Sequence, residues 1–240
     1  MTGSSNSSSV LANGQALYTN PATLLVDDNQ WLFNLSHSLI GGTDIRSSSG
    51  TINYSNRDFG TGLMFGTYGI EGFEERIARL AFSRRLGASS FLGVKLNFQQ
   101  LQITGLGQSS NWDLSIGYWQ KTEAGIIISA YLDNPLAMVS DNSMLDGKAQ
   151  LSLAYIVSEK LTSFSSVTYS DRTKLNWTLG VSYDPYEYLG LVISWYSLTE
   201  SLNFGADIQL FEKMSLGLGV NTHPTLGNAL NVSVDYRLER

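Results

Sequence analysis

The 240-residue chain contains no cysteine, which excludes structural disulfides, thiolate zinc sites and thiol nucleophiles. Charge is scarce. Asp, Glu, Lys and Arg together make up 15% of the residues, against about 25% in an ordinary soluble domain. The net charge is -6 with no Lys/Arg block, so nucleic acid is not an expected partner. No apolar run approaches the roughly 18 residues of a transmembrane helix. The two histidines, His37 and His223, are far apart and sit in no ligand spacing. There is no nucleophile-elbow motif, and no glycine-rich phosphate loop leads into a helix. An enzyme is therefore not expected, and neither a cofactor nor a metal is implied. Met1 to Asn6 lacks the basic and apolar regions of a signal peptide. A secreted bacterial protein carries one, so the expectation is that it has been removed or replaced.

What the chain has instead is polarity without charge, supplied by Gly, Ser, Asn and Thr beside 42% apolar residues. From Trp31 onward the pattern has period two. Leu230, Val232, Val234, Tyr236 and Leu238 alternate with Asn231, Ser233, Asp235 and Arg237. Leu92, Val94, Leu96 and Phe98 alternate with Gly93, Lys95, Asn97 and Gln99. Such alternation marks a strand with one apolar and one polar face. It predicts strands near 31–40, 50–56, 59–68, 76–85, 90–102, 111–120, 124–133, 148–157, 160–169, 174–183, 188–197, 201–210, 214–222 and 228–238. All four prolines (Pro21, Pro135, Pro185, Pro224) are expected outside strand interiors. Tight turns such as Lys121-Thr122-Glu123 and Asp184-Pro185-Tyr186 roughly alternate with longer loops at 41–50, 69–75, 104–110, 134–147 and 222–227, as in an up-and-down barrel. Residues 1–30 lack the alternation. They read as a flexible or plug segment ahead of a barrel over 31–240, with Met1 to Val10 flexible.

Alternation alone does not say which face is outside. A soluble barrel would put the apolar face inward and a charged face to water. Here the polar face is Gly, Ser, Asn, Thr and Gln, which suits a narrow filled lumen, and the apolar face is too bulky for a small interior. Hydrocarbon outside accommodates it. Tyr and Trp recur near strand ends, among them Trp31, Tyr54, Trp112, Tyr155, Trp177 and Trp195, as interfacial girdles do. The reading is an all-β, transmembrane up-and-down antiparallel barrel of about fourteen strands, placed in the bacterial outer membrane with its lipid as neighbour. A soluble β-structured binding protein is the competing class.

Ala16-Leu17-Tyr18-Thr19-Asn20-Pro21-Ala22-Thr23-Leu24 resembles the "NPA" segment near the mature N-terminus of the FadL superfamily, especially its PorV/PorQ branch. Ala81-Phe82-Ser83-Arg84-Arg85-Leu86-Gly87, Phe91 to Leu96, and Tyr131-Leu132-Asp133-Asn134-Pro135-Leu136 are similar too. The resemblance is clear over roughly residues 10 to 140 and implies a fourteen-stranded barrel with its N-terminal segment folded into the lumen. FadL moves long-chain fatty acids, and the PorV/PorQ branch serves type IX secretion. The first expectation is accordingly an accessory barrel with protein partners in a secretion complex. The alternative is a FadL-like channel for hydrophobic small molecules, with an apolar pocket lined by Leu17, Leu24, Leu25 and Phe33.

Asn20, Pro21 and Ala22 are candidates for anchoring the plug, against an ordinary Asn-Pro turn. Arg79, Lys95, Asp113, Asp207, Asp235 and Arg237 take the lumen side by parity. They read either as a polar pathway or as structural ion pairs, and the second is favoured because buried charges pair. The carboxylate pairs Asp27-Asp28 and Glu74-Glu75 are read as solvated turns rather than cation sites.

Overall fold

The computed structural model describes residues 16–25, 30–41, 43–139, 146–170, 172–223 and 227–239. From Gln30 the chain forms fourteen strands: β1 (Gln30–Ile40), β2 (Arg46–Ser55), β3 (Phe59–Ile70), β4 (Phe73–Gly87), β5 (Ser90–Ile103), β6 (Gly107–Lys121), β7 (Ile126–Asp133), β8 (Lys148–Ser158), β9 (Leu161–Ser170), β10 (Lys174–Tyr186), β11 (Leu189–Tyr196), β12 (Ser201–Phe211), β13 (Met214–His223) and β14 (Gly227–Glu239). Each pairs antiparallel with its sequence neighbours. β1 also pairs with β14, from Gln30 opposite Glu239 to Ile40 opposite Ala229, and closes the barrel. Closure leaves no sheet edge, so the ladders satisfy the backbone polar groups, the condition for strands to cross hydrocarbon.

Every predicted strand is present, and the departures are instructive. β2 starts at Arg46 rather than 50, and β6 starts at Gly107 rather than 111. β3 and β4 are joined by Glu71-Gly72 alone where a loop over 69–75 was expected, with Gly72 turning at φ 84°. The Gly- and Ser-rich strand ends carry no apolar alternation, yet ladder hydrogen bonding does not require it. Pro185 lies inside β10, contrary to expectation, at the point where pairing with β11 slips between Tyr183 and Tyr186. A bulge tolerates the missing N–H, and it moves the expected Asp184-Pro185-Tyr186 turn to Glu187-Tyr188. Pro21 sits in a 3-10 turn, Pro21–Leu25, and a second such turn spans Ala137–Val139. Pro224, Asp27-Asp28 and residues 1–15 lie outside the described residues.

The barrel has a turn end and a loop end. The short β2–β3, β4–β5, β6–β7, β8–β9, β10–β11 and β12–β13 connections share the turn end with the start of β1. The outer face is apolar around the whole circumference, from Leu35 (69% exposed) on β1 through Phe65, Leu80, Leu151 and Phe204 to Val232 on β14. Such a belt in water would be one continuous sticky patch; in a bilayer it is solvated by acyl chains. Outward aromatics gather at both rims. Trp31, Tyr54, Phe59 and Phe82 form a run of ring contacts at the turn end, where Tyr186 and Tyr188 also stack at 5.3 Å. Trp112, Tyr169, Trp177 and Trp195 mark the loop end. The inward face is polar, with Asn34, Asn53, Ser83, Ser115, Ser129, Ser152 and Thr178 buried. The apolar side faces out, so the fold is a transmembrane barrel and not a soluble one.

Candidate functional site

The lumen is occupied by residues 16–25, whose 3-10 turn packs on β2 to β6. Asn20 fastens it. This fully buried side chain donates from Nδ2 to the Tyr118 carbonyl (2.9 Å) and to Ser129 Oγ (2.8 Å), with the Ala130 carbonyl at 3.3 Å. Its Oδ1 accepts from the Ala22 N–H (2.9 Å), and its carbonyl accepts from Thr23 Oγ1 (2.8 Å). One residue thus ties β6 and β7 to the start of the turn. Pro21 and Ala22 are buried beside it, and Ser83 Oγ donates to the Ala22 carbonyl at 3.2 Å.

The wall is shaped to receive this segment. A Cβ on Gly93 would stand 2.4 Å from the Ala22 nitrogen, and one on Gly117 would stand 1.8 Å from Asn20 Oδ1. Both glycines point inward, so the plug backbone lies directly on the sheet.

Two of the predicted lumen charges grip the plug. Arg79 Nη1 donates to the Leu17 carbonyl at 2.9 Å. Lys95, only 1% exposed, donates from Nζ to the Thr19 carbonyl (2.9 Å) and to the Tyr131 hydroxyl (3.1 Å), with the ammonium 5.0 Å from the Tyr131 ring centroid. A buried lysine needs such partners. Behind them, Asn97 Nδ2 donates to Asp113 and to Ser115 Oγ (2.9 Å), and Ser115 Oγ donates to Asp133 at 2.6 Å. On the other flank the Tyr18 hydroxyl bonds Ser36 (3.3 Å) and Ser49.

The six predicted charges therefore divide. Arg79, Lys95 and Asp113 gather on β4 to β6 around the plug. Asp207, Asp235 and Arg237 stand on β12 and β14, where Asp235 accepts from Asn34 Nδ2 at 2.9 Å. Arg79 and Lys95 meet plug carbonyls, where mutual ion pairing was the favoured expectation, because the plug brings the Leu17 and Thr19 carbonyls to 2.9 Å from them. Glu74 points outward and pairs with Arg76 at 2.9 Å, while Glu75 points inward and accepts from Gln99. His37 faces outward against Ser48 (2.9 Å); the side chain of His223 is outside what is described.

The lumen also holds an apolar cluster. Ala22 and Leu25 of the plug pack with Phe91, Trp119, Ile127, Ala154 and Phe164 from β5 to β9, flanked by Ile156 and Val192. Phe91 and Trp119 stack at 5.4 Å. The predicted pocket residues fall differently. Leu17 and Leu24 pack in a second cluster with Ala16, Met64 and Ala81. Phe33 is not in the lumen at all: it shares the outward parity of Trp31 and stacks with it at 6.4 Å. The missed residues carry a sequence signal. Phe91, Trp119, Ile127, Phe164 and Val192 are large apolar residues on the polar parity of their strands.

No protein-family model and no curated protein matches the chain. Solved structures do. The Ralstonia pickettii toluene transporter TbuX superposes with a TM-score of 0.71 at 8% identity, covering 95% of this chain and 94% of that one. The Pseudomonas putida toluene transporter TodX gives 0.69 at 11% identity, covering 94% and 93%. A Pseudomonas aeruginosa FadL homologue gives 0.65 at 10% identity, covering 94% of each. The shared feature is the fold, a FadL-like barrel.

Proposed function

We propose that this barrel sits in a bacterial outer membrane and passes small hydrophobic molecules, of the size of a single aromatic ring, along the apolar side of its plug. The observation that carries this is the Phe91–Trp119–Ile127–Phe164 cluster, an apolar seam between the Ala22–Leu25 side of the plug and the barrel wall in a lumen whose buried wall side chains are mostly Ser, Asn and Thr. These side chains pack against Ala22 and Leu25 of the plug, so an apolar solute would use the seam by displacing the plug from it, whereas a purely polar pore offers such a solute no burial. Covering an aromatic ring of about 150–200 Å² contributes roughly 4–5 kcal/mol before the cost of confinement, which gives weak binding compatible with passage.

The likeness to toluene transporters supports the same reading. The secretion-accessory role placed first by the "NPA" resemblance gives way to the channel role that stood as its alternative. Neither role uses a catalytic group.

The test is uptake of a labelled monoaromatic hydrocarbon by cells expressing the chain behind a signal peptide. Uptake above vector-only cells is expected, and it should fall severalfold in Phe91→Asn and Ile127→Asn at equal amounts of folded barrel. Uptake no higher than in vector-only cells, together with stable co-purification of a large membrane protein, would return the secretion role.

A further inference from the structure

The strands do not end at one height. At the loop end β5 and β6 run on together to Ile103 opposite Gly107, in a ladder without a bulge. β7 does not follow them. Asn134 turns at φ 46° and Pro135 has no N–H to give, so pairing between β6 and β7 stops at Ser115 opposite Asp133. One further bond, from the Asn134 N–H to the Leu114 carbonyl at 2.9 Å, fixes the direction of the groups beyond it. In an antiparallel strand each residue turns its N–H and C=O to one side, and alternate residues share that side. Trp112, Ser110 and Gln108 share the side of Leu114 and point away from β5. Among the described residues, their main chains meet no partner on that side. Gly107 to Ser110 are exposed, and so is Trp112 (62%), which marks the aromatic rim. The bare edge thus starts at the rim and continues beyond it. Natural sheet edges are guarded by Lys, Pro, a bulge or a covering segment. From Asn97 to Trp112 there is no charged residue and no proline.

We propose that residues 107–112 of β6 are a docking edge for an extended, uncharged segment of another protein, which adds to the sheet as a further strand on the loop side of the membrane. The chemistry of the edge names its occupant. Unpaired N–H and C=O groups at every second residue, about 6.8 Å apart, match the main chain of another strand. The outward side chains beside the edge are Gln100, Gln102, Gln108 and Ser110, all neutral. A charged side chain on the partner would find no counter-charge among them. A second copy in the same bilayer does not fit. An axis along the membrane normal would cross the two β6 strands at about 70–90°, twice their tilt of about 35–45°, and a ladder needs them aligned. This binding is a second activity, and it does not depend on the apolar route past the plug.

The test uses the folded full chain in detergent micelles and a capped synthetic peptide with the sequence of Asn97 to Ile103. That sequence already pairs with this stretch of β6 from its other side. Amide hydrogen exchange is read residue by residue by NMR. Without peptide, the Gln108, Ser110 and Trp112 amides are expected to exchange fast, and those of Asn111 and Asp113, turned to β5, slowly. Saturating peptide should slow the first three at least roughly tenfold and leave the other two unchanged. Ser110→Ala keeps the N–H and should bind the peptide as the parent does. Ser110→Pro removes an N–H that β5 does not use and should weaken binding roughly tenfold, with the heat-modifiable gel mobility of a folded barrel retained. The same peptide N-methylated throughout should not bind, which tests the ladder without any variant. Slow exchange at Gln108, Ser110 and Trp112 in the absence of peptide would mean that the chain covers its own edge, and would overturn the proposal. So would amides that stay fast at millimolar peptide, or a folded Ser110→Pro barrel that binds as tightly as the parent.

Discussion

The two walls of this barrel use the same residue types for opposite purposes. On β5 to β7 the inward positions hold Gly93, Gly117, Ser115 and Ser129, and each lies against the plug or the polar network behind it. On β12 to β14 the inward positions hold Gly217, Gly219, Ser215 and Ser233, and all four are partly exposed. A glycine on the first wall is a socket for the plug; on the second, Gly217 makes room for the neighbouring Ser233, whose Oγ would stand 2.3 Å from an added Cβ, and Gly219 has only ordinary contacts around it. The difference does not reside in the strands. It comes from ten plug residues that press on one side, with Asn20, Arg79 and Lys95 as the fasteners. Inward residue type alone therefore says little about what a lumen position packs against.

The comparison can be broken most forcefully at Gly93. Gly93→Ala places a methyl group against plug backbone, 2.4 Å from the Ala22 nitrogen and 2.5 Å from the Pro21 carbonyl carbon. Neither atom can rotate away, so the plug must lift. The expected cost is about 3 kcal/mol of plug docking, read as a roughly hundredfold faster hydrogen exchange over residues 16–25 with the barrel still heat-modifiable. Unchanged exchange would mean that the plug does not rest on this wall. Asn20→Ala is expected to act in the same direction and less strongly. It removes donors to Ser129 and the Tyr118 carbonyl and the cap on the Ala22 N–H, for about 2 kcal/mol. Protease sensitivity confined to the plug, with the barrel core intact, is the readout. A barrel that fails to fold at all would show that Asn20 serves the β6–β7 wall rather than the plug.

Much of this was legible beforehand, and for a physical reason. A strand exposed to lipid on one side and to a polar lumen on the other must alternate, so period two from Trp31 gave all fourteen strands and their faces. The parity rule also placed Arg79, Lys95, Asp113, Asp207, Asp235 and Arg237 on the inner side. What alternation cannot carry is which inner residues meet one another, because that depends on the path of a segment with no periodicity. The grip of Arg79 and Lys95 on the Leu17 and Thr19 carbonyls is a backbone contact, invisible in residue types. The strand ends at Arg46 and Gly107 were lost because Ser and Gly carry no apolar signal. Phe33 was misplaced in a pocket although its own parity, shared with Trp31 and Leu35, turns it to lipid. The apolar cluster was there to be found, as large hydrophobic residues on the wrong face. Phe91 and Trp119 each interrupt a polar register that holds Gly93, Lys95 and Asn97 on one strand and Asp113, Ser115 and Gly117 on the next.

The smallest expected effect is the one that sharpens the comparison most. Gly219→Ala makes the same chemical change as Gly93→Ala on the opposite wall. There the new methyl would find Asn231 Cβ at 3.5 Å and the Phe204 carbonyl oxygen at 3.8 Å, ordinary contacts with nothing to displace. Glycine within a strand costs conformational entropy that alanine does not, about 0.5–1 kcal/mol. The substitution is therefore expected to be neutral or slightly stabilising, by up to roughly 0.5 kcal/mol, in a denaturant midpoint measured in detergent, with plug exchange unchanged. A destabilisation as large as that of Gly93→Ala would mean that the β12–β14 wall is packed as tightly as the other. The asymmetry between the wall that carries the plug and the wall opposite would then be lost.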